Sequence, residues 1–500
     1  MIRISASHLY AYVQCPHRIW RDAHDDASLK DSPNEFVQLL WEQGFQYERQ
    51  VIDEQKKEIE IMDLSQIPAE ERFVKTLEAM RNKTPYIYQG CLEVDDLIGK
   101  PDLLKLEANG EYIPIDIKSG MGYKDAGNDE DEVKLKNTYA VQLGLYIDAL
   151  IRLQFSSRKI GKIWDSKGRI VEYDLERAQG PRKKQTWWEL YQEVLLNVRD
   201  ILDKRNRTEA ALASVCKLCE WYTDCKKQCF ERNDITLIHE IGRSTRADFV
   251  PIAQTVRQLA SIKPENYLNA KGETGIKGIG EKTLIKMNRR AKLLANNEKE
   301  PLVFERYTLP KKPIELFFDI ETDPTQDIVY LHGVVERRDG ELKTKFYSFH
   351  TDEVSAESEK NTWQKFWQYI RSFPEDQIVV YYYSKYERTQ YRILAQKYPD
   401  VATMQEVEGF FDKTRAVDLY YDIVLKCTDW ATNNYSVKTL AQHLGFKWRA
   451  ENPSGAASIQ WFNDWCQKKD QKVLQKILDY NEDDCKAMIV LKDCLNKFSS

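Results

Sequence analysis

The sequence predicts an α/β protein of several domains, and three observations lead to this class. The chain has 500 residues, which corresponds to about three domains of roughly 150 residues each. Strand signals run from Tyr86 to Ser119 between helical stretches, and they return after residue 313 in the segments IELFFDI and QIVVYYYS. The stretch between these two regions has helical periodicity broken by glycines. We therefore predict domains at 1–231, 232–310 and 311–500.

Composition excludes two classes of protein. The formal charge is -5, with 74 Lys and Arg against 79 Asp and Glu, so the whole chain is not a basic nucleic-acid coat. Mean hydropathy is -0.61, and no apolar run approaches the roughly 18 residues of a membrane span, so we expect no membrane partner. The N-terminus has no signal-peptide pattern, which predicts a cytoplasmic protein. In that reducing compartment the ten cysteines are not expected to form disulfides.

The first strand-rich region contains a predicted hairpin that carries charged residues at its open end. Asn109-Gly110 suits a tight turn, because both residues tolerate positive φ. Asp116 and Lys118 are two residues apart in the second strand and share a face, and Asp102 begins the first strand. Two carboxylates and an ammonium group could thus converge, as a metal-dependent phosphodiesterase requires. A surface hairpin with a simple salt bridge is the alternative.

The residues downstream of this hairpin favour the catalytic interpretation. Gln142 and Tyr146 have the i, i+4 spacing that places both on one helix face. The order P-D, D-I-K, Q-x-x-x-Y resembles the RecB-like branch of the PD-(D/E)XK nuclease superfamily over about 1–230. This resemblance implies a restriction-endonuclease-like α/β core, bound Mg²⁺ or Mn²⁺, and catalytic roles for the five residues named. It further implies a metal ligand on a preceding helix, where Gly44 and Glu48 fit the G-x-x-x-H/E pattern.

Four cysteines have a spacing typical of a metal site. Cys216, Cys219 and Cys225 form C-x2-C-x5-C, and Cys15 lies about two hundred residues earlier. From spacing alone, zinc and an iron–sulfur cluster are both possible. The pattern is similar to that of RecB-like nucleases in which four such thiolates hold a [4Fe–4S] cluster, and this resemblance implies the cluster, with zinc as the alternative. Cys229 is close enough in sequence to compete as the fourth ligand.

The middle segment has a glycine-rich turn and a local excess of positive charge. The run GIKGIGEKT does not fit a phosphate-binding P-loop, because Glu281 precedes the lysine. It resembles the turn of a helix-hairpin-helix motif, and residues 232–292 hold 12 Lys and Arg against 6 Asp and Glu, a net +6. We expect sequence-independent binding of a nucleic-acid backbone, and a plain helical spacer is the alternative. The predicted contacts are Lys277, Gly278, Gly280 and Lys282.

The last region carries acidic residues in an ordered series. Asp319 and Glu321 lie two apart at the end of an apolar strand and share a face. Glu387 stands near the start of a helix, and Tyr480 and Asp484 are spaced i, i+4 on the final helix. This series resembles the DEDD exonuclease branch of the ribonuclease-H-like fold over about 311–500, most closely the YprB-type domains.

The resemblance assigns roles to these residues. It implies that Asp319, Glu321 and Asp484 hold two divalent metals and that Tyr480 orients the attacking water. Glu387 departs from the usual Asp, which puts the activity of this centre in question. Asp418 fits a further acidic position of such domains. Lys438 is either a phosphate contact or a lysine that extends along an apolar surface to solvent.

Together these features predict a metal-dependent nuclease, and most specifically an exonuclease, that cleaves DNA rather than RNA at single-stranded ends or flaps. The expected context is DNA repair, recombination or defence. The alternative is a nucleic-acid-binding adaptor in which one or both centres are inactive and a helicase partner does the work. The chain has no Walker A motif, so it does not unwind DNA by the usual route.

Overall fold

The computed structural model describes residues 2–33, 35–124, 134–181, 183–276, 278–339, 343–450 and 454–499. The chain forms two compact units, Met1–Ala210 with Val215–Asp224 and Ala211–Ser214 with Cys225–Ser500. The segment 232–310, expected as a separate connector, therefore falls within the second unit. Of the helices in the described ranges, none combines the length and apolar content needed to cross a bilayer.

The first unit is an α/β fold around a six-stranded mixed sheet. Its helices are α1 (Ala6–Gln14), α2 (Pro16–His24), α3 (Glu35–Gln55), α4 (Ala69–Arg81), α5 (Asn137–Arg152) and α6 (Trp187–Leu202). Its strands are β1 (Ile4–Ser5), β2 (Met62–Asp63), β3 (Tyr86–Tyr88), β4 (Leu92–Val94), β5 (Leu97–Gly99), β6 (Leu103–Leu106), β7 (Tyr112–Ile117), β8 (Tyr123–Lys124), β9 (Lys134–Leu135), β10 (Ile160–Trp164), β11 (Ile170–Asp174), β12 (Ala178–Gly180) and β13 (Lys183–Thr186). The large sheet has the order β11-β10-β7-β6-β3-β2, and a small sheet has the order β1-β5-β4.

The predicted hairpin forms the centre of the large sheet. β6 and β7 are antiparallel, with Leu106 opposite Tyr112, and the turn between them places Gly110 at φ +86°. Every residue of β7 is buried, because β6 and β10 flank it and α5 packs against it. Ile115 and Ile117 join an apolar cluster with Val51 and Ile52 of α3. This packing holds α3 close to the end of the hairpin that carries charge.

The second unit begins with short helices and continues into a five-stranded sheet flanked by helices. The helices are α7 (Tyr222–Glu231), which begins in the first unit, α8 (Arg243–Phe249), α9 (Val256–Ser261), α10 (Glu281–Asn296), α11 (Ala356–Arg371), α12 (Tyr386–Lys397), α13 (Met404–Phe410), a π-helix (Leu419–Val424), α14 (Leu425–Cys427), α15 (Val437–His443), α16 (Gly455–Lys468) and α17 (Gln471–Asn496). The strands are β14 (Leu302–Val303), β15 (Ile314–Asp323), β16 (Ile328–Arg338), β17 (Lys345–His350), β18 (Ile378–Tyr382), β19 (Ala416–Asp418) and β20 (Thr428–Asp429).

The five-stranded sheet has the order β17-β16-β15-β18-β19, so the strand that carries Asp319 and Glu321 is central. β15 pairs antiparallel with β16 and parallel with β18. Helix α17 packs against β15 and β16. Its close approach depends on Gly333 of β16, where an added Cβ would lie 1.6 Å from Oδ1 of Asn481. The helix thereby brings its polar face against the acidic end of β15.

Two candidate metal-dependent centres

The first centre, called the N-terminal centre, consists of Glu48, Asp102, Asp116 and Lys118. Asp102 precedes β6, Asp116 lies in β7, and Lys118 follows it. The backbone N–H of Ile117 donates to Oδ2 of Asp102 at 2.7 Å, which joins the two strand ends. Nζ of Lys118 lies 2.9 Å from Oδ2 of Asp116. The hairpin therefore brings the three sequence-predicted charged groups together.

Burial and mutual charge control protonation at this centre. Burial raises the pKa of Asp102 well above its usual value, and the charge of Asp116 raises it further. Burial alone would lower the pKa of Lys118, but the carboxylates of Asp116 and Asp102 outweigh it and the net shift is upward. Lys118 therefore keeps its proton at neutral pH in the metal-free centre.

Helix α3 contributes Glu48, which is held by two residues that the sequence did not single out. The hydroxyl of Tyr88 donates to Oε1 of Glu48 at 2.9 Å, and Nε2 of Gln89 donates to the same oxygen at 2.6 Å. Gln89 also donates to Oδ1 of Asp102 at 3.5 Å. Its amide thus bridges two acidic residues from different elements. Gln89 has φ +54°, an uncommon conformation for this residue type. The position of its side chain therefore cannot be predicted from the sequence.

Gln142 and Tyr146 belong to helix α5, which packs against β7 of the hairpin. Tyr146 is buried, and its pKa is raised by burial and then by the charges of Asp116 and Asp102. An added Cβ at Gly99 would lie 2.8 Å from the Tyr146 ring, so this glycine allows the tyrosine to approach. Oε1 of Gln142 is buried and has no hydrogen-bond partner among the residues that the structure describes. An unsatisfied acceptor of this kind suits a bound water or ligand.

The second centre, called the C-terminal centre, consists of Asp319, Glu321 and Asp484. Within the described parts of the chain, these three residues form the single acidic, His or Cys group whose ligand atoms all lie within 4.8 Å of one another. Asp319 and Glu321 come from β15, with an irregularity in pairing just after Glu321, and Asp484 comes from α17. The strand and the helix together therefore produce the trio that the sequence spacing predicted.

These carboxylates are held close together with little compensating charge. The pKa of Asp319 is raised well above its usual value by burial and then by the charges of Asp484 and Glu321. Burial, followed by Asp484, raises the pKa of Glu321 to about 8. Burial and mutual repulsion therefore disfavour full ionisation of the three carboxyl groups, and a bound metal ion would favour it. An oxygen-only donor set with this need for positive charge fits Mg²⁺ or Mn²⁺.

Two polar side chains, one from α17 and one from a loop, orient this trio. Nδ2 of Asn481 donates to Oδ2 of Asp319 at 2.8 Å and to Oε1 of Glu321 at 3.4 Å. Nε1 of Trp448 donates to Oδ1 of Asp484 at 2.7 Å. Asn481 adjoins Tyr480 in the predicted helical motif, whereas Trp448 reaches the site from a separate loop. Sequence reasoning missed both, because neither belongs to the spacing of the acids.

Lys438, at the start of α15, lies beside the trio. Its Nζ is 3.6 Å from Oδ2 of Asp484 and donates to the hydroxyl of Tyr480. The same ammonium group lies 4.4 Å from the centre of the Tyr480 ring. Of the two roles open for Lys438 from the sequence, this position favours a polar role in the site over simple solvation.

Glu387 and Asp418 lie outside the group of three. Glu387 is the second residue of α12 and is buried, and burial followed by the charge of Asp418 raises its pKa to about 8. Its charge contributes to the raised pKa of Asp319, so it lies within electrostatic range of the trio. Oδ1 of Asp418 accepts three backbone N–H groups, those of Ser384, Tyr420 and Tyr421. In this structure Asp418 therefore caps the π-helix.

Three of the four predicted cluster cysteines belong to the first unit. Cys15 separates α1 from α2, and the backbone N–H of Cys219 donates to the carbonyl of Cys216 at 3.0 Å. Burial raises the pKa of Cys219, and the nearby Cys15 and Cys216 raise it further. The three thiols are thus electrostatic neighbours. Cys225 and Cys229 lie in the part of α7 that belongs to the second unit.

The glycine-rich turn leads into α10. Lys277 lies outside the described residues, Gly278 has φ +82°, Gly280 caps the helix, and Lys282 is exposed in its first turn. The positive charge of this segment is partly used internally, because Arg289 and Arg290 both donate to the buried Asp429. Fewer cations than the net +6 suggested are therefore available to a nucleic acid.

Comparisons with known proteins agree with the two-part architecture. Residues 17–226 match the family model of the PD-(D/E)XK nuclease superfamily, and residues 316–496 match that of the RNase_H superfamily. No curated protein gives a significant match. The solved structure described as "Crystal structure of SSO0001" is 15% identical, covering 45% of this chain and 86% of its own, with a TM-score of 0.21. That similarity is too low to bear on fold or function.

Proposed function

From a chain that carries a PD-(D/E)XK nuclease superfamily domain and an RNase_H superfamily domain, we propose a metal-dependent nuclease that hydrolyses phosphodiester bonds of DNA. The observation that carries the proposal is the gathering of Asp319, Glu321 and Asp484, with ligand oxygens within 4.8 Å of one another. We further propose exonuclease action at single-stranded ends or flaps, in DNA repair, recombination or defence, with a helicase as partner.

At the C-terminal centre, Asp319, Glu321 and Asp484 would hold Mg²⁺ or Mn²⁺. When bound, the ion supplies a Lewis acid that activates water and stabilises charge on the leaving oxygen. The residues of the chain prepare this chemistry. Asn481 and Trp448 fix the carboxylate orientations, and Tyr480, held by Lys438, presents its hydroxyl beside Asp484.

At the N-terminal centre, Glu48, Asp102 and Asp116 would hold the cation, and Lys118 supplies a fixed positive charge. Because the carboxylates of Asp102 and Asp116 keep Lys118 protonated, we propose that it stabilises the negative charge that develops on the phosphate. Gln142 and Tyr146 would orient a water or a phosphate oxygen on the α5 side.

We propose that Cys15, Cys216, Cys219 and Cys225 hold a [4Fe–4S] cluster, with zinc as the alternative. The mutual proximity of three of these thiols supports the proposal. Thiolates of this kind stay available in a reducing compartment such as the cytoplasm. Protein purified without oxygen should be brown, with an absorbance that a Cys216→Ala variant lacks. A colourless protein that contains one zinc would contradict the cluster.

We propose that the turn before α10 binds the nucleic-acid backbone through Lys277, Gly278, Gly280 and Lys282. Gly280 opens a 16-residue helix, whose N-terminus favours an anion, and Lys282 is exposed beside it. A Lys282→Ala variant should lower DNA affinity equally for unrelated sequences and reduce the salt dependence of binding by about one counterion.

A single assay tests the proposed activity. End-labelled single-stranded DNA, double-stranded DNA and RNA are incubated with Mg²⁺ or Mn²⁺ and with the wild type, Lys118→Ala or Asp319→Ala. Loss of cleavage in one variant assigns the active centre, and loss of separate products in each shows that both are active. A wild type that binds but cuts none of these substrates would overturn the nuclease and favour the adaptor.

A further inference from the structure

Helix α3 exposes two large aromatic side chains on the face that carries Glu48. Trp41 is 54% exposed and Phe45 is 64% exposed, although both are residue types that are usually buried. Trp41, Phe45 and Glu48 follow the i, i+4, i+7 spacing of one helix face. At about 1.5 Å rise per residue, Phe45 lies about 4.5 Å and Trp41 about 10.5 Å from Glu48 along the helix axis. The aromatic face therefore leads directly to the N-terminal centre.

The same helix is joined to that centre by direct contacts. Gln89 donates to both Glu48 and Asp102, which ties α3 to the hairpin. An added Cβ at Gly44 would lie 3.8 Å from Oγ of Ser119, the residue after Lys118. A nucleic-acid strand that continued from the N-terminal centre along α3 would therefore meet the two aromatic rings. The exposed face is therefore suited to contact nucleotides of a strand bound at this centre.

A groove beside Trp41 provides matching chemistry. It has a volume of about 190 Å³, below the roughly 300 Å³ at which small-molecule sites begin, and Val37, Gln38 and Trp41 of α3 line it. Lys217, Leu218 and Tyr222 line the same groove. Lys217 is exposed, and no ion pair involves it within the described parts of the chain. An aromatic surface with an available cation is the combination that holds unpaired bases and their phosphates.

We propose that Trp41 and Phe45 stack on unpaired bases of a single DNA strand whose phosphodiester backbone lies at the N-terminal centre. Lys217 contacts a phosphate of the same strand. This inference rests on the proposed nuclease function, and it names the part of the substrate that the first unit selects. A fully paired duplex offers no free base faces to these rings, so the surface favours single strands.

The test measures binding without cleavage. Fluorescein-labelled dT20 is titrated in EDTA with the wild type, Trp41→Ala, Phe45→Ala and the double variant. Because removal of a stacking ring costs about 1–3 kcal/mol, each single variant should bind about 5- to 160-fold more weakly. Trp41→Phe, which keeps a ring, should restore most of the affinity. Leu196→Ala, which changes a 58% exposed side chain of α6, is the matched control and should bind as the wild type does.

An oligonucleotide with abasic sites separates stacking from backbone binding. The wild type should bind it about as weakly as the double variant binds dT20, and the double variant should show no further loss. Equal binding of dT20 by all variants overturns the proposal. The proposal is also overturned if the variants differ from the wild type only in oligomeric state, as measured by size-exclusion chromatography. In that case the aromatic face would contact protein rather than DNA. A wild type that depends on both rings yet cuts no nucleic acid would contradict the nuclease while supporting the stacking surface.

Discussion

The N-terminal centre pairs a lysine directly with one of its buried carboxylates, whereas the C-terminal centre gathers three carboxylates with a lysine at a longer distance. In the first, Asp102 accepts a backbone N–H and Asp116 pairs with Lys118 at 2.9 Å. In the second, Asn481 donates to both Asp319 and Glu321, and Nζ of Lys438 is 3.6 Å from Oδ2 of Asp484. The N-terminal centre therefore contains a cation of its own, whereas the C-terminal centre depends more on a bound metal ion.

The largest expected effect comes from removing a proposed metal ligand from the C-terminal centre. Asp484→Asn keeps the shape of the side chain but removes a charge that the proposed ion requires. We expect Mn²⁺ affinity at the C-terminal centre to fall about 100-fold or more. Isothermal titration in metal-free buffer measures this loss.

The neighbouring carboxylate provides the control for that variant. Asp483 is also buried in α17, but it pairs with Arg449 rather than joining the trio. Asp483→Asn should keep Mn²⁺ binding within about twofold of the wild type. Equal losses in the two variants would show that the trio is not the ion site.

A second test removes the internal cation of the N-terminal centre. Lys118→Ala leaves Asp116 buried without its partner, and loss of one member of a buried pair costs about 3 kcal/mol. We expect the free energy of unfolding of the metal-free protein to fall by that amount in urea denaturation. Adding Asp116→Asn should recover at least half of the lost free energy of unfolding, because no unpaired buried charge then remains.

The corresponding lysine of the other centre supplies the comparison. Lys438→Ala should cost only about 1 kcal/mol, because the raised pKa values of its acidic neighbours already keep part of the trio protonated. Equal destabilisation by the two lysine variants would remove the distinction between the centres.

Regular spacing is what made these centres predictable from sequence. Asp319 and Glu321 share a strand face, and Tyr480 and Asp484 share a helix face, because side chains repeat every two residues in strands and about every 3.6 in helices. Long-range contacts were not predictable in this way. Gln89 depends on a positive φ, and Trp448 reaches Asp484 from a loop.

The predicted charge patch shows the same limit. Arg289 and Arg290 were counted toward DNA binding, yet both pair with Asp429, about 140 residues away in sequence. A sum of charges along a segment does not reveal which charges a distant acid neutralises. The fold class, in contrast, followed from periodicity that each element carries locally, and the two superfamily matches agree with it.

A third test uses pH on the metal-free protein. The pKa of Glu387 is about 8 in the folded chain and about 4.5 when unfolded, so between these values the folded state binds more protons. Its contribution to the free energy of unfolding therefore falls as pH rises, by up to about 1.4 kcal/mol per pH unit. Urea denaturation in EDTA at pH 5.5, 6.5 and 7.5 should show a steeper decline for the wild type than for Glu387→Gln. The exposed Glu375→Gln should leave the slope unchanged.

The smallest effect concerns the hydrogen bond from Trp448 to Asp484. Trp448→Phe keeps an aromatic ring but removes the N–H that donates at 2.7 Å, so the carboxylate loses a partner that lowers its pKa. Because groups that orient metal ligands change affinity about 10- to 100-fold, we expect Mn²⁺ affinity to fall at the lower end of that range. Trp465→Phe is matched to this change, since Trp465 is buried and its N–H has no partner among the described residues. If Trp465→Phe weakens Mn²⁺ binding as much as Trp448→Phe, the effect arises from repacking. A loss restricted to Trp448→Phe shows that the C-terminal centre depends on donors outside its acidic motif.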